Sequence, residues 1–215
     1  MGFELQLHEI VHRLPASRQN LLFSATLPSA VAEFAKAGLV NPLLIRLDAD
    51  HKISEDLAMA FFDVKSTMKE AALLAILETN LRVLTNRQET EKSPQAIIFV
   101  STKHHVEYLS HLLVTVGYRV NHIYGSLDQI ARQQQLAGFR DGTADLLIVT
   151  DVAARGLDIP IMDHVINYDF PTGVRNFIHR VGRTARAGRK GAAWSFVTKE
   201  ELPYMLELET FLEQP

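Results

Sequence analysis

Short apolar runs of strand length recur along this chain at 21–23, 97–100, 120–123, 146–149, 164–167 and 194–197. They are near-continuous rather than alternating, the pattern of strands buried on both faces of a parallel sheet. Helical patterns lie between them. One spans 103–116 and stops at Gly117, a residue suited to the left-handed position after a helix. Another spans 128–140, with Asp128 as its N-cap, and stops near Gly142. Strands alternating with helices predict an open α/β sheet, which binds ligands in the loops beyond the carboxyl ends of its strands. The polar segments after the strands are therefore the candidate site: Ser101-Thr102-Lys103, Tyr124-Gly125-Ser126 and the run from Thr150 to Asp158.

A third helical pattern has two faces. Val174, Phe177, Ile178 and Val181 form an apolar stripe at i, i+3, i+4 and i+7. Continued as one helix, the segment sets His179, Arg183 and Arg186 together on the opposite side. Between 175 and 190 stand Arg175, Arg180, Arg183, Arg186, Arg189 and Lys190, with no Asp or Glu. Clustered arginines repel one another unless a polyanion meets them. The planar guanidinium fork is well shaped to grip phosphate. The residues thus predict a phosphate-binding face backed onto a core. The formal net charge of −3 excludes coating nucleic acid by bulk charge, and the tail is acidic through Glu200, Glu201, Glu207, Glu209 and Glu213. A local basic patch binds phosphate even so.

The absence of cysteine excludes disulfides and thiolate metal sites. No apolar run approaches the length of a membrane span, and the first residues lack the pattern of a secretory signal. A soluble intracellular protein is expected. Segments 48–55 and 85–94 read as linker and polar loop. The first 46 residues, with a helix, a strand and a second helix, look too small for a domain and resemble the end of something larger.

Several motifs coincide in order: Ser24-Ala25-Thr26 after an apolar strand; the 97–100 strand ending in Ser101-Thr102; Gln129 and Arg132 spaced Q-x-x-R; Phe139-Arg140-Asp141-Gly142 before a strand; the Thr150–Asp158 run; and the arginine segment. Together they resemble the DEAD-box RNA helicases over nearly the whole chain. The resemblance implies a RecA-like fold, with 1–48 as the end of a first RecA-like domain and 49–215 as the second. No G-x-x-x-x-G-K-[ST] and no Asp-Glu-Ala-Asp occurs, so the phosphate-cradling loop and the family's magnesium-binding carboxylates are absent. On this reading the piece alone is expected to be inactive.

The roles below are what the resemblance implies. Arg183 and Arg186 are arginine fingers for the ATP γ-phosphate. Asp158 takes the ribose hydroxyls, and Gly156 allows close approach of the nucleotide. Thr102, Lys103, Gly125, Gln129, Arg132 and Thr150 face RNA, holding phosphates and sugars without reading sequence. Ser24, Thr26, Asp151, Arg155 and His179 couple the two sites, although His179 also reads as a satisfied structural histidine. Arg180 points elsewhere on the helix, toward a structural ion pair. ATP comes with Mg2+ held mainly by the first domain, and this chain supplies no metal site. Lys103-His104-His105, the run 165–168 and the run 202–206 resemble a nucleolar subgroup linked to large ribosomal subunit assembly. That implies a nuclear, nucleolar monomer acting on ribosomal RNA precursor, with pre-ribosomal proteins as further partners and no membrane.

Two residues depart from the family pattern. Ala185 stands where Gly is usual; being the better helix former, it either continues the helix or crowds Arg186. Ser126 stands where an acidic residue is common. Two other functions remain open: a DNA-directed helicase domain, and a non-enzymatic docking scaffold using Leu202, Met205, Leu206, Leu208 and Phe211. Covering the domain's own core is the more ordinary use of those five apolar residues.

Overall fold

The structure, a computed structural model, describes residues 4–15, 17–21, 43, 45, 53–86, 93–186 and 188–213. The chain divides into two compact units, Met1–Ala49 and Asp50–Pro215. In the first, Glu4–Arg13 forms helix α1, where Glu9 and Arg13 pair one turn apart. The expected strand at 21–23 falls outside the described residues except for Leu21, and Ser24 and Thr26 lie outside them too.

The second unit runs β1 (Leu57–Asp63), a 3-10 turn, α2 (Lys69–Ala75) continued by a π-helical turn, β2 (Ala96–Val100), α3 (Lys103–Val116), β3 (Val120–Ile123), α4 (Gln129–Arg140), β4 (Leu146–Thr150), α5 (Asp151–Ala154), β5 (His164–Asn167), α6 (Val174–Val181), β6 (Gly191–Val197) and α7 (Leu202–Glu213). The six strands form one sheet in the order β1-β6-β5-β2-β4-β3. Every pairing is parallel. This is the expected RecA-like α/β sheet with helices on both faces.

The alternating sides of the central strands explain why their sequences are apolar throughout. Ile98, Val100, Leu146, Ile148 and Ile166 face Leu73 and Leu77 together with Val106, Leu109 and Leu113 of α3. Ile97, Phe99, Leu147, Val149 and Val165 face Leu136 and Phe139 of α4 and Ala153 and Ala154 of α5. A third cluster joins Phe170, Phe177, Val181, Ala193 and Val197 to Leu208 of α7, with Met205 and Leu212 against it. The C-terminal helix thus covers its own core, while Leu202 and Leu206 remain exposed.

Both anticipated helix boundaries in the middle of the chain occur. Thr102 Oγ1 accepts from His105 N at 3.1 Å at the start of α3, which ends at Gly117 with φ +106°. Asp128 caps α4 through Ala131 N at 2.7 Å. Strand β1 and helix α2 were not anticipated. Leu57-Ala58-Met59-Ala60 has few β-branched residues, and β1 is an edge strand whose Ala58 and Met59 are exposed. Strand β6 begins three residues before the expected 194, because Gly191-Ala192-Ala193 carries little apolar bulk.

Candidate nucleotide and RNA site

Helix α6 does not continue through the arginines. It ends at Val181, with Gly182 N donating to Ile178 O at 2.9 Å. The chain then turns tightly, Arg183 N to Arg180 O and Thr184 N to Val181 O, both at 3.0 Å. A neighbouring segment pins the turn. Met162 N donates to Arg183 O at 2.8 Å, and Thr184 Oγ1 donates to Met162 O at 2.6 Å. Ala185, buried, then takes φ +52°. The single helical face expected for His179, Arg183 and Arg186 is corrected accordingly: the two arginines sit on a turn, and Ala185 occupies a left-handed position rather than extending the helix. That conformation gives a physical reason for glycine at this place.

The turn still gathers the cations. Burial, then the neighbouring Arg186, lowers the pKa of Arg183, with Asp158 opposing. The Arg186 guanidinium lies over Gly182, where a Cβ would stand 2.8 Å from its Nη2. His179 is held below its ordinary pKa by burial first, then by Arg175, Arg155 and Arg183, against Asp151. A neutral imidazole at pH 7 therefore sits among three guanidinium groups. Asp151 and Asp158 are the carboxylates that oppose this charge.

Arg180 is the buried member of the basic run. Its side chain is 2% exposed. Nε and Nη2 donate to Asp151 Oδ1 and Oδ2, both at 2.7 Å. Nη1 donates to Asp169 O at 2.7 Å and Asn167 Oδ1 at 3.2 Å, and the guanidinium lies 5.1 Å from the Phe99 ring centroid. Arg180 is thus a buried strut that fixes Asp151 at the start of α5.

Arg155 reaches back to α6, donating to Asn176 Oδ1 at 3.2 Å. Gly156 takes φ +73°, and no atom lies within 4 Å of where its Cβ would be. The Asp158 side chain is 97% exposed and paired with Arg140 Nη2 at 2.7 Å. Sequence reasoning saw Asp158 but not this partner, 18 residues earlier.

The other expected residues line the carboxyl ends of neighbouring strands. Val100 pairs with Thr150, and Ile123 with Val149. The segments carrying Thr102 and Lys103, Thr150, and Gly125 therefore follow β2, β4 and β3 side by side. Thr102, Lys103, Gly125 and Gln129 are exposed, whereas Thr150 is buried. Arg132 clasps its own loop, donating to Gly125 O and, from Nε, to Leu127 O at 3.0 Å.

Sequence reasoning missed a polar junction at the start of α3. Asp169 Oδ2 accepts from Ser101 N at 2.8 Å and lies 2.7 Å from His105 Nδ1, while Oδ1 accepts from Lys69 Nζ at 3.1 Å. No local pattern marks Asp169, whose partners stand at 69, 101 and 105. Among the described residues no group of three or more His, Asp or Glu could hold a metal, and no helix is long and apolar enough to cross a membrane.

The family model described as the helicase conserved C-terminal domain matches residues 68–188. The chain belongs to this family. Within it, the likeness is to DEAD-box proteins. The chain is 67% identical over 214 residues to the ATP-dependent RNA helicase DBP10 of Cryptococcus neoformans, covering 99% of this chain and 27% of that protein. It is 50% identical to ATP-dependent RNA helicase dbp10 of Schizosaccharomyces pombe, covering 100% of this chain and 28% of that protein. The chain thus spans little more than a quarter of the length of these curated relatives. Among solved structures, S. cerevisiae Dbp5 bound to RNA and ADP BeF3 aligns with a TM-score of 0.81 and 31% identity, over 99% of this chain and 54% of that one. The E. coli DEAD-box protein SrmB, bound to regulator of ribonuclease activity A, aligns at 0.61 and 30% identity, over 74% and 86%.

Proposed function

We propose that this chain is the second RecA-like half of an ATP-dependent RNA helicase core, with residues 1–48 closing the first. The observation that carries this reading is the cluster at the turn after α6, where Arg155 and Arg183 bear on His179 and Arg186 bears on Arg183, with Asp151 and Asp158 opposing. On this reading Arg183 and Arg186 meet the γ-phosphate of ATP bound between the two halves. There they offset the charge that spreads over the equatorial oxygens as the phosphoryl group leaves. Asp158 and Gly156 receive the ribose side of the nucleotide, with Arg140 holding Asp158 in place. Mg2+ accompanies the nucleotide on ligands outside this chain.

RNA lies across the carboxyl ends of β2, β4 and β3, against Thr102, Lys103, Gly125, Gln129, Arg132 and Thr150. Hydroxyls, amides and cations of this kind grip backbone phosphate and the 2′-hydroxyl and leave base edges unread. ATP and RNA each stabilise the closed form, so each strengthens binding of the other. Asp151, tied to Arg180, and Arg155 and His179 around it carry that coupling, joined by Ser24 and Thr26 of the first half. The names of the relatives support an RNA helicase. The likeness of 103–105, 165–168 and 202–206 to a nucleolar subgroup supports action on ribosomal RNA precursor among pre-ribosomal proteins.

The test is RNA-stimulated ATP hydrolysis by the full-length protein. Arg183→Ala is expected to lower kcat by about 10³-fold or more, while the 215-residue chain alone hydrolyses nothing. Full activity in Arg183→Ala, or equal stimulation by duplex DNA, would overturn the reading.

A further inference from the structure

Asp169 follows β5 and is 5% exposed. Its carboxylate collects donors from three other segments: the Ser101 amide, the His105 ring and the Lys69 ammonium. Lys69, also buried, gives a second bond to Glu201 Oε1 at 3.3 Å. Glu201 in turn accepts from Phe170 N and Thr198 N, both at 2.9 Å. A lysine and a carboxylate at this depth destabilise the fold unless each is paired and its remaining sites are filled. Here they are filled, and a fully satisfied buried network is rigid. Burial alone would raise the pKa of Asp169; Ser101, His105 and Lys69 outweigh it and lower the pKa instead.

The rigid end of this network is the first turn of α3. His105 is held twice, its amide by Thr102 Oγ1 and its ring by Asp169. The ring also packs edge-on against Tyr168, with centroids 6.3 Å apart. One carboxylate therefore anchors both sides of the Thr102-Lys103 pair, through Ser101 before it and His105 after it. Left unpaired beneath a helix N-terminus, that carboxylate would repel an approaching phosphate. Its donors take up the charge.

We propose that His105, acting through Asp169, is a positioning residue for the RNA contact made by Thr102 and Lys103. The inference rests on the RNA-facing reading of α3 given above. Since the His105 side chain is half exposed, its replacement leaves the core intact.

The experiment titrates single-stranded RNA against ATP hydrolysis by the full-length protein and reads KM for RNA and kcat separately. His105→Ala is expected to raise KM for RNA at least about fivefold, with kcat at saturating RNA within about twofold. His105→Asn places an amide donor where Nδ1 stood and restores KM. His105→Gln places its donor where Nε2 stood and does not. An unchanged KM in His105→Ala overturns the inference, and so does rescue by Gln but not Asn, which marks a direct RNA contact. A wild-type enzyme whose hydrolysis ignores RNA instead overturns the RNA-facing reading on which the inference rests.

Discussion

Truncating Asp151 isolates what Arg180 contributes to the fold. In the native chain two of the four hydrogen bonds of this guanidinium end on Asp151, both at 2.7 Å. Asp151→Ala leaves a cation whose side chain is 2% exposed with only the Asn167 and Asp169 oxygens as partners. Removing one member of a buried pair costs about 3–5 kcal/mol. The Asp151 side chain is 26% exposed, so water enters the vacated space and favours the lower end. A loss of about 3 kcal/mol corresponds to a fall in Tm of about 6–12 °C for a domain of this size. The assay is urea unfolding followed by Trp194, the sole tryptophan, which lies in β6 and so reports on the second unit. Replacing both partners, Asp151→Leu with Arg180→Met, removes the uncompensated charge but takes the donor from Asn167 Oδ1 and Asp169 O, so only part of the loss is expected to return. A cost below about 1 kcal/mol for Asp151→Ala would refute the claim that Arg180 is a buried strut requiring a carboxylate.

Ala185→Gly relieves a left-handed strain of about 1–2 kcal/mol, but loses a buried methyl worth about 0.8 kcal/mol and adds unfolded-chain entropy worth about 0.4–1 kcal/mol. Its stability in urea should therefore stay within about 1 kcal/mol of the parent, whereas Ala185→Val should lose more than about 2 kcal/mol. Gly191→Ala would place a Cβ 1.8 Å from Thr184 Oγ1 and 2.8 Å from Ala185 N. The backbone neighbour cannot yield cheaply, so a loss of at least about 2 kcal/mol is expected, together with lower ATPase activity through the displaced Arg183 turn. The lowered pKa of Asp169 means that its contribution is present above the ordinary carboxylate range and is lost as pH falls through the folded value. Urea midpoints measured from pH 6 to 3 should fall more steeply for the parent than for Asp169→Asn, and equal slopes would contradict this.

The sequence revealed contacts within a segment and concealed contacts between segments. Strands β2 and β4 were legible because each is buried throughout, so their apolar runs admit few other readings. Strand β1 was not, since an edge strand with alanines and exposed positions lacks that signature. The stripe Val174, Phe177, Ile178 and Val181 announced α6 correctly. Its end was misread because Thr184-Ala185-Arg186 contains good helix formers, and local propensity favours continuing. What stops the helix comes from another part of the chain: the Met162 amide and carbonyl, bonded to Arg183 and Thr184. The same reasoning separates Arg180 from its neighbours. Its place off the apolar stripe suggested an ion pair, but the partner stands 29 residues away, and only the sheet brings the two together. Asp169 is the extreme case, with donors from residues 69, 101 and 105 and nothing in its own neighbourhood to mark it. Its carbonyl holds Arg180 while its carboxylate holds the start of α3. One residue therefore joins the anchor of the proposed RNA contact to the strut behind the arginine turn.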